Sequence, residues 1–241
     1  MEESFLQIKG LKVFTRITGK GSPFLILHGW GSSSDSWLEV QKNLGQKFSV
    51  ICFDLPGFGK SSLPDSVWDL DNYVELVIDL VNKLGIEKFY LLGHSFGGRI
   101  AIKLALAFPK RVERLILVDA AGIREQKKGL SFVKFFRFLA RFSFLKRAFY
   151  KFVVKSSDYL QATGIMKQVF KKVVEEDLRN LLQDIEVKTL IIWGRFDKAT
   201  PLRNGRLMKE KIKNSKLKIL ETGHSPHLRA PEKLVQTIYE N

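Results

Sequence analysis

Five residues, Gly93-His94-Ser95-Phe96-Gly97, set a serine between two glycines. They stand where an apolar run, Phe89–Leu92, gives way to a helical pattern in which Ile100, Leu104 and Phe108 recur. A serine hydroxyl is a poor nucleophile until a base takes its proton, and that base needs an acid to orient it. A strand-to-helix turn suits such a serine. Small neighbours let other backbone approach, and the helix N-terminus offers positive potential to a developing oxyanion. Four histidines are available as the base. His28 and His94 adjoin turn glycines, where local work is expected of them, with His28 also placed at the substrate pocket. His224 and His227 lie in Glu221-Thr222-Gly223-His224-Ser225-Pro226-His227. His224 is the candidate base, and His227 is expected to begin the last helix or to line the pocket. For the acid, Asp197 follows Trp193-Gly194-Arg195-Phe196. Asp54 is expected to hold the turn containing Gly57 and Gly59.

The elements that must position these residues alternate in texture. Phe5–Lys9 and Lys12–Ile17 read as an antiparallel hairpin around Gly10. Compact apolar runs follow at Pro23–Leu27, Ser49–Phe53, Phe89–Leu92, Leu115–Val118, Thr189–Trp193 and Leu217–Leu220. Runs of this length suit parallel strands covered on both faces. Between them, Tyr73, Val74, Val77, Ile78, Val81 and Leu84 recur at helical spacing before Gly85, and further helix patterns follow Gly97-Gly98, Pro201 and Pro231. Strands alternating with helices imply an α/β fold built on a mostly parallel, doubly wound sheet. From Gly122 to about Asp184 the alternation stops and the pattern is helical throughout. The expected organisation is therefore a core over 1–121, a helical insertion over 122–185, and the rest of the core over 186–241.

The chain resembles the α/β-hydrolase superfamily over essentially its whole length. Four blocks carry the resemblance: His28-Gly29-Trp30-Gly31; Asp54-Leu55-Pro56-Gly57-Phe58-Gly59-Lys60-Ser61; Gly93–Gly98; and Trp193-Gly194-Arg195-Phe196-Asp197 followed by Gly223-His224. The resemblance implies a Ser95, Asp197, His224 triad in that chain order. Asp119, closing Leu115-Ile116-Leu117-Val118, is the fallback acid, because some members place the acid after that earlier strand. It also implies an oxyanion hole made by the backbone N–H groups of Trp30 and Phe96, and a helical cap over the site. Members that cleave carbon–halogen bonds or epoxides carry aspartate at the elbow. Serine at 95 points instead to acyl transfer through an acyl-enzyme. Ring-cleavage-product hydrolases, which break a carbon–carbon bond, often have Asn where His94 stands and Trp where Ser225 stands; both departures count against that reading. Lactone hydrolysis stays open, and so does a ligand receptor of little turnover, because fold does not fix function.

The net charge of +15 is concentrated. Between Ile123 and Lys172 thirteen Lys/Arg stand against two acids, Glu125 and Asp158. Within this stretch Phe132, Phe135, Phe136, Leu139 and Phe142 share one helical face, opposite Lys134, Arg137 and Arg141. The leading expectation is a lid whose apolar face packs on the core, with Phe135, Phe136 and Leu139 lining an acyl pocket. Weak contact of the basic cap with an anionic membrane surface is a second expectation. Nucleic acid is not an expected partner, since the aromatics lie on the wrong face to interleave with the charges. The single cysteine, Cys52, sits in an apolar run and reads as an inert buried thiol. No apolar run approaches the ~20 residues of a membrane span. The first residues, MEESFLQIKG, are acidic where a signal peptide is basic. A cytoplasmic location is expected, with no cofactor and no metal. The combined expectation is a carboxylesterase acting on short- to medium-chain or aryl esters, its small-molecule substrate carrying an apolar acyl or aryl part.

Overall fold

The computed structural model of the chain describes residues 1–124 and 164–241. Its strands are β1 (Glu2–Ile8), β2 (Leu11–Thr18), β3 (Ser22–Leu27), β4 (Phe48–Phe53), β5 (Phe89–His94), β6 (Val112–Val118), β7 (Thr189–Gly194) and β8 (Ser215–Leu220). Among the described residues the α-helices are α1 (Leu38–Leu44), α2 (Leu70–Lys83), α3 (Phe96–Ala107), α4 (Gly164–Glu175), α5 (Leu202–Lys211), α6 (Pro226–Arg229) and α7 (Pro231–Tyr239).

The strands form one sheet in the order β1-β2-β4-β3-β5-β6-β7-β8. β1 and β2 are an antiparallel hairpin turning over Lys9 and Gly10, whose φ angles of 49° and 78° match a two-residue hairpin turn. β2 runs antiparallel to β4, and the remaining pairs are parallel. β1 starts at Glu2 rather than Phe5 because Glu3 pairs with the buried Arg16 of β2 at 2.7 Å. β8 likewise starts earlier than its apolar residues suggest. Lys216 and Lys218 alternate with Leu217 and Ile219, as suits an edge strand that must not recruit another.

Side-chain alternation in the central strands feeds two cores. Phe24, Ile26, Val50, Cys52, Ile116 and Ile192 face α1 and α7 on one side. Leu25, Leu27, Ile51, Leu91, Leu117 and Ile191 face α2, α3 and α5 on the other. Each such side chain, fully buried, is worth roughly 1.5–3 kcal/mol. Helix α2 begins one turn before its apolar periodicity. Asp69 Oδ1 accepts from the Asn72 N–H and Asn72 Oδ1 from the Asp69 N–H, both at 3.0 Å, a reciprocal cap. It stops before Gly85, whose φ is 67°. The sequence reading passes over α1, a short helix whose apolar rhythm is broken by the fully buried Gln41.

Register places the site. Leu27 pairs with Gly93, His94 with Val118, Val118 with Ile192, and Gly194 with Leu220. The carboxyl ends of five parallel strands are thus level, and the loops that follow them emerge along one edge, where α/β sheets bind ligands. Of the expected insertion, residues 125–163 lie outside the described residues. The returning helix α4 buries Met166, Val169 and Val173 against the core. Arg99 of α3 fastens its end by donating from one guanidinium nitrogen to the carbonyls of Val173 and Glu176, at 2.9 and 2.7 Å. Burial lowers the Arg99 pKa to about 10. No helix among the described residues is long and apolar enough to cross a membrane.

Candidate active site

Ser95 stands between β5 and α3 with φ 50° and ψ −112°. Such a conformation costs an L-residue roughly 1–3 kcal/mol and persists only where its surroundings impose it. Here the Ser95 N–H donates to the Val118 carbonyl at 3.2 Å, and the Ser95 carbonyl accepts from the Gly98 and Ala121 N–H groups at 3.0 Å each. Both flanking glycines are required by space. A Cβ on Gly93 would meet the Gly97 carbonyl and the Ala101 methyl, and one on Gly97 would meet the Leu27 and His28 carbonyls.

The structure brings Ser95, His224 and Asp197 together. His224 Nε2 lies 3.0 Å from Ser95 Oγ, and Nδ1 lies 2.8 Å from Asp197 Oδ2. A carboxylate only accepts, so Nδ1 carries the proton and Nε2 presents its lone pair to the Ser95 hydroxyl. Asp197 is itself held by its loop. Its Oδ1 accepts from the Ala199 and Thr200 N–H groups at 2.8 and 2.9 Å, and its Oδ2 from the Thr200 hydroxyl at 2.6 Å. Trp193 supports that loop by donating from Nε1 to the Thr200 carbonyl at 2.8 Å. Burial works against the Asp197 charge, yet the bonds from His224 and Thr200 outweigh it and hold the carboxyl below its usual range. Asp119, the fallback acid, uses Oδ1 to accept from the Gly194 N–H at 2.8 Å. Burial first, and then the neighbouring Asp197, push its pKa up to about 8.

The loop after β3 runs close past the elbow. A Cβ on Gly29 would stand 2.9 Å from His94 Nδ1 and 3.4 Å from Ser95 Cβ. Trp30 comes next, and its ring meets that of Phe96 edge-on at 5.2 Å. Phe96 opens α3, so its amide is one of those a helix leaves without an internal partner. Trp30 also packs edge-on against Phe58 at 4.8 Å and Phe170 of α4 at 4.9 Å. These three half-buried rings form an aromatic wall beside the elbow. Asp54 organises the turn that carries Phe58, accepting from the Ser34 N–H on one oxygen and the Lys60 N–H on the other.

Two residues expected at the pocket are elsewhere. His28 is wholly buried, Nδ1–H donating to the Gly29 carbonyl at 2.8 Å and Nε2 accepting from the Leu55 N–H at 2.9 Å. Both ring nitrogens are satisfied inside the core, so it lines no pocket. His227 belongs to α6, ahead of the last helix, and is buried in a parallel stack on Trp37 with ring centroids 4.2 Å apart. Burial first, then His224 and His28, lower its pKa to about 3. Phe135, Phe136 and Leu139 lie outside the described residues. The sequence reading missed Thr200, Phe58 and Phe170. Only Phe58 had a signal, its place between two glycines of a turn.

Comparison with known proteins agrees with this architecture. A family model described as alpha/beta hydrolase fold matches residues 22–162. An uncharacterized protein of Mycobacterium tuberculosis is 40% identical over 119 residues, 49% of this chain and 35% of that protein. The chain thus spans about a third of the length of the mycobacterial proteins it matches. The pimeloyl-[acyl-carrier protein] methyl ester esterase of Aliivibrio fischeri is 27% identical over 94% of this chain and 95% of its own. Among solved structures, an esterase from Exiguobacterium antarcticum superposes with a TM-score of 0.79 at 26% identity, covering 99% of this chain and 98% of that one. With the fold and the family model in agreement, the chain belongs to the alpha/beta-hydrolase family.

Proposed function

We propose that the chain is a serine hydrolase of carboxylic esters, cleaving short- to medium-chain or aryl esters through an acyl-enzyme. The observation that carries this reading is the unbroken relay from Ser95 Oγ through His224 to Asp197, at 3.0 and 2.8 Å. His224 takes the Ser95 proton as Oγ attacks the ester carbonyl, and the resulting oxyanion is received by the Trp30 and Phe96 amides. His224 then returns the proton to the departing alkoxide, leaving Ser95 acylated. Water, deprotonated by the same histidine, releases the acid and restores the serine. Asp197 stays ionised throughout, fixing the imidazole tautomer and stabilising the imidazolium.

The rings of Trp30, Phe58 and Phe170 favour an apolar acyl or aryl group beside the oxyanion amides. The names of the Aliivibrio and Exiguobacterium relatives, both esterases, point the same way. The basic segment around Phe135, Phe136 and Leu139 is proposed to complete the pocket as a lid. Hydrolysis of a nitrophenyl ester series from acetate to palmitate, by wild type and Ser95→Ala together, tests the reading. Turnover of the short and middle chains is expected, with the alanine variant slower by about 10⁴-fold or more. A folded wild type that leaves every chain length untouched overturns ester hydrolysis.

A further inference from the structure

His94, the residue before the serine, is 5% exposed and has an assignable hydrogen-bonding state. Its Nε2 lies 2.7 Å from the backbone carbonyl of His224, an acceptor only, so the proton is on Nε2. Nδ1 then carries a buried lone pair. It faces Gly29 and has no hydrogen-bond partner among the described residues. The ring is boxed in by aromatic neighbours: Trp37 at 5.9 Å, His224 at 5.0 Å and His227 at 4.6 Å. A side chain that merely filled this space would be better made of carbon, because an unpartnered buried acceptor costs about 1–3 kcal/mol. What the imidazole offers in return is one bond, and that bond ends on the backbone of His224. The loop around His224 is otherwise anchored on either side, where the Thr222 carbonyl accepts from the Phe196 N–H and the Ser225 carbonyl from the Leu228 N–H.

We propose that His94 is a positioning residue for the base: its Nε2–H ties the backbone of His224 to the residue adjoining the nucleophile, so that the elbow and the base keep one relative geometry. The link joins residues 130 positions apart in the chain. It fixes where the imidazole begins, while Asp197 fixes its tautomer and tilt. The inference rests on the reading of Ser95 and His224 as nucleophile and base. Small misplacements in such a pair cost rate rather than binding.

The test compares His94→Gln, whose amide nitrogen reaches about as far as the imidazole Nε2 and still donates, with His94→Phe, which fills the space without a donor. Should His94→Phe not fold, His94→Met replaces it as a donor-free side chain of similar length. Two readouts are taken: kcat and KM on nitrophenyl butyrate, and the rate at which a fluorophosphonate probe labels Ser95. His94→Phe is expected to lose about 10- to 100-fold in kcat and in labelling rate with KM changed less than about threefold, and His94→Gln to recover most of the loss. Equal activity of wild type and His94→Phe, or equal losses in both variants, overturns the proposal. The probe separates the two readings. A wild type that labels but hydrolyses no ester leaves this inference to be decided by the labelling ranking. A wild type that neither labels nor hydrolyses removes both.

Discussion

Two aspartates leave the carboxyl ends of neighbouring strands, Asp119 after β6 and Asp197 after β7, and both are buried. Burial works against the charge of both, and it is the first cause that raises the pKa of the more deeply enclosed Asp119 to about 8, while Asp197 is held in its charged form. Donors make the difference for Asp197. The Asp197 carboxyl receives two backbone N–H groups, a hydroxyl and an imidazole N–H. The Asp119 carboxyl receives the Gly194 N–H on one oxygen, and its other oxygen has no partner among the described residues. A buried carboxylate stays ionised only where enough donors replace its lost water. The loop from Asp197 to Thr200 supplies them, so of the two strand-end aspartates it is the one with the donor-rich loop that faces His224 as a carboxylate.

The sharpest way to break the comparison is to remove each charge in turn. Asp197→Asn is expected to lower kcat by about 10⁴-fold, because an amide beside Nδ1 permits the wrong tautomer. Asp119→Asn keeps an oxygen for the Gly194 N–H and is expected to stay within about tenfold of wild type. Steady-state kinetics on a nitrophenyl ester reads both, and equal losses would erase the distinction. Stability should separate the two carboxyls further. The folded pKa of Asp119 lies above its unfolded value, so its contribution is fully present below about pH 4 and is lost as pH rises through about 8. Asp119→Asn should therefore gain roughly 2–5 kcal/mol over wild type near pH 9 and little near pH 4, as read by urea unfolding.

His227 provides the opposite slope. Its folded pKa of about 3 lies below the unfolded value, so stability is full above about pH 6.5 and falls as pH drops towards 3. His227→Phe keeps the stack on Trp37 and should remove up to about 1.4 kcal/mol per pH unit of that slope. An unchanged acid limb would place the proton uptake elsewhere. The smallest expected effect concerns the donor set itself. Thr200→Val deletes the hydroxyl bond to Asp197 Oδ2 and should cost about 5- to 10-fold in kcat, with Thr200→Ser restoring most of it.

How much of this was legible in the sequence follows from the range of each interaction. The Ser95 elbow is written locally, in two glycines between an apolar run and a helix pattern, and Asp197 and His224 are marked by the strands they follow. The sheet was readable for the same reason, apart from its edges. There Glu2, Glu3, Lys216 and Lys218 obey pairing and solvent rather than the need for burial. His28 does the local work expected beside Gly29, but its burial away from a pocket depends on Leu55, and that of His227 on Trp37, both far along the chain. The bond from His94 to the His224 carbonyl and the packing of Phe170 on Trp30 likewise join distant segments. No spacing rule reaches that far. Asp119 directly closes an apolar run and Asp197 follows one after Gly194-Arg195-Phe196; the family resemblance favours Asp197, and the donors of its folded loop give that preference a physical reason.

The central claim is that Ser95 becomes acylated during turnover. Rapid acid quenching during hydrolysis of nitrophenyl butyrate, followed by mass spectrometry of the peptides, tests it directly. One butyryl group is expected on the peptide containing Ser95, formed no more slowly than nitrophenol is released and absent from Ser95→Ala. Sustained turnover by Ser95→Ala, or a butyryl group carried by another residue at the rate of turnover, would contradict it.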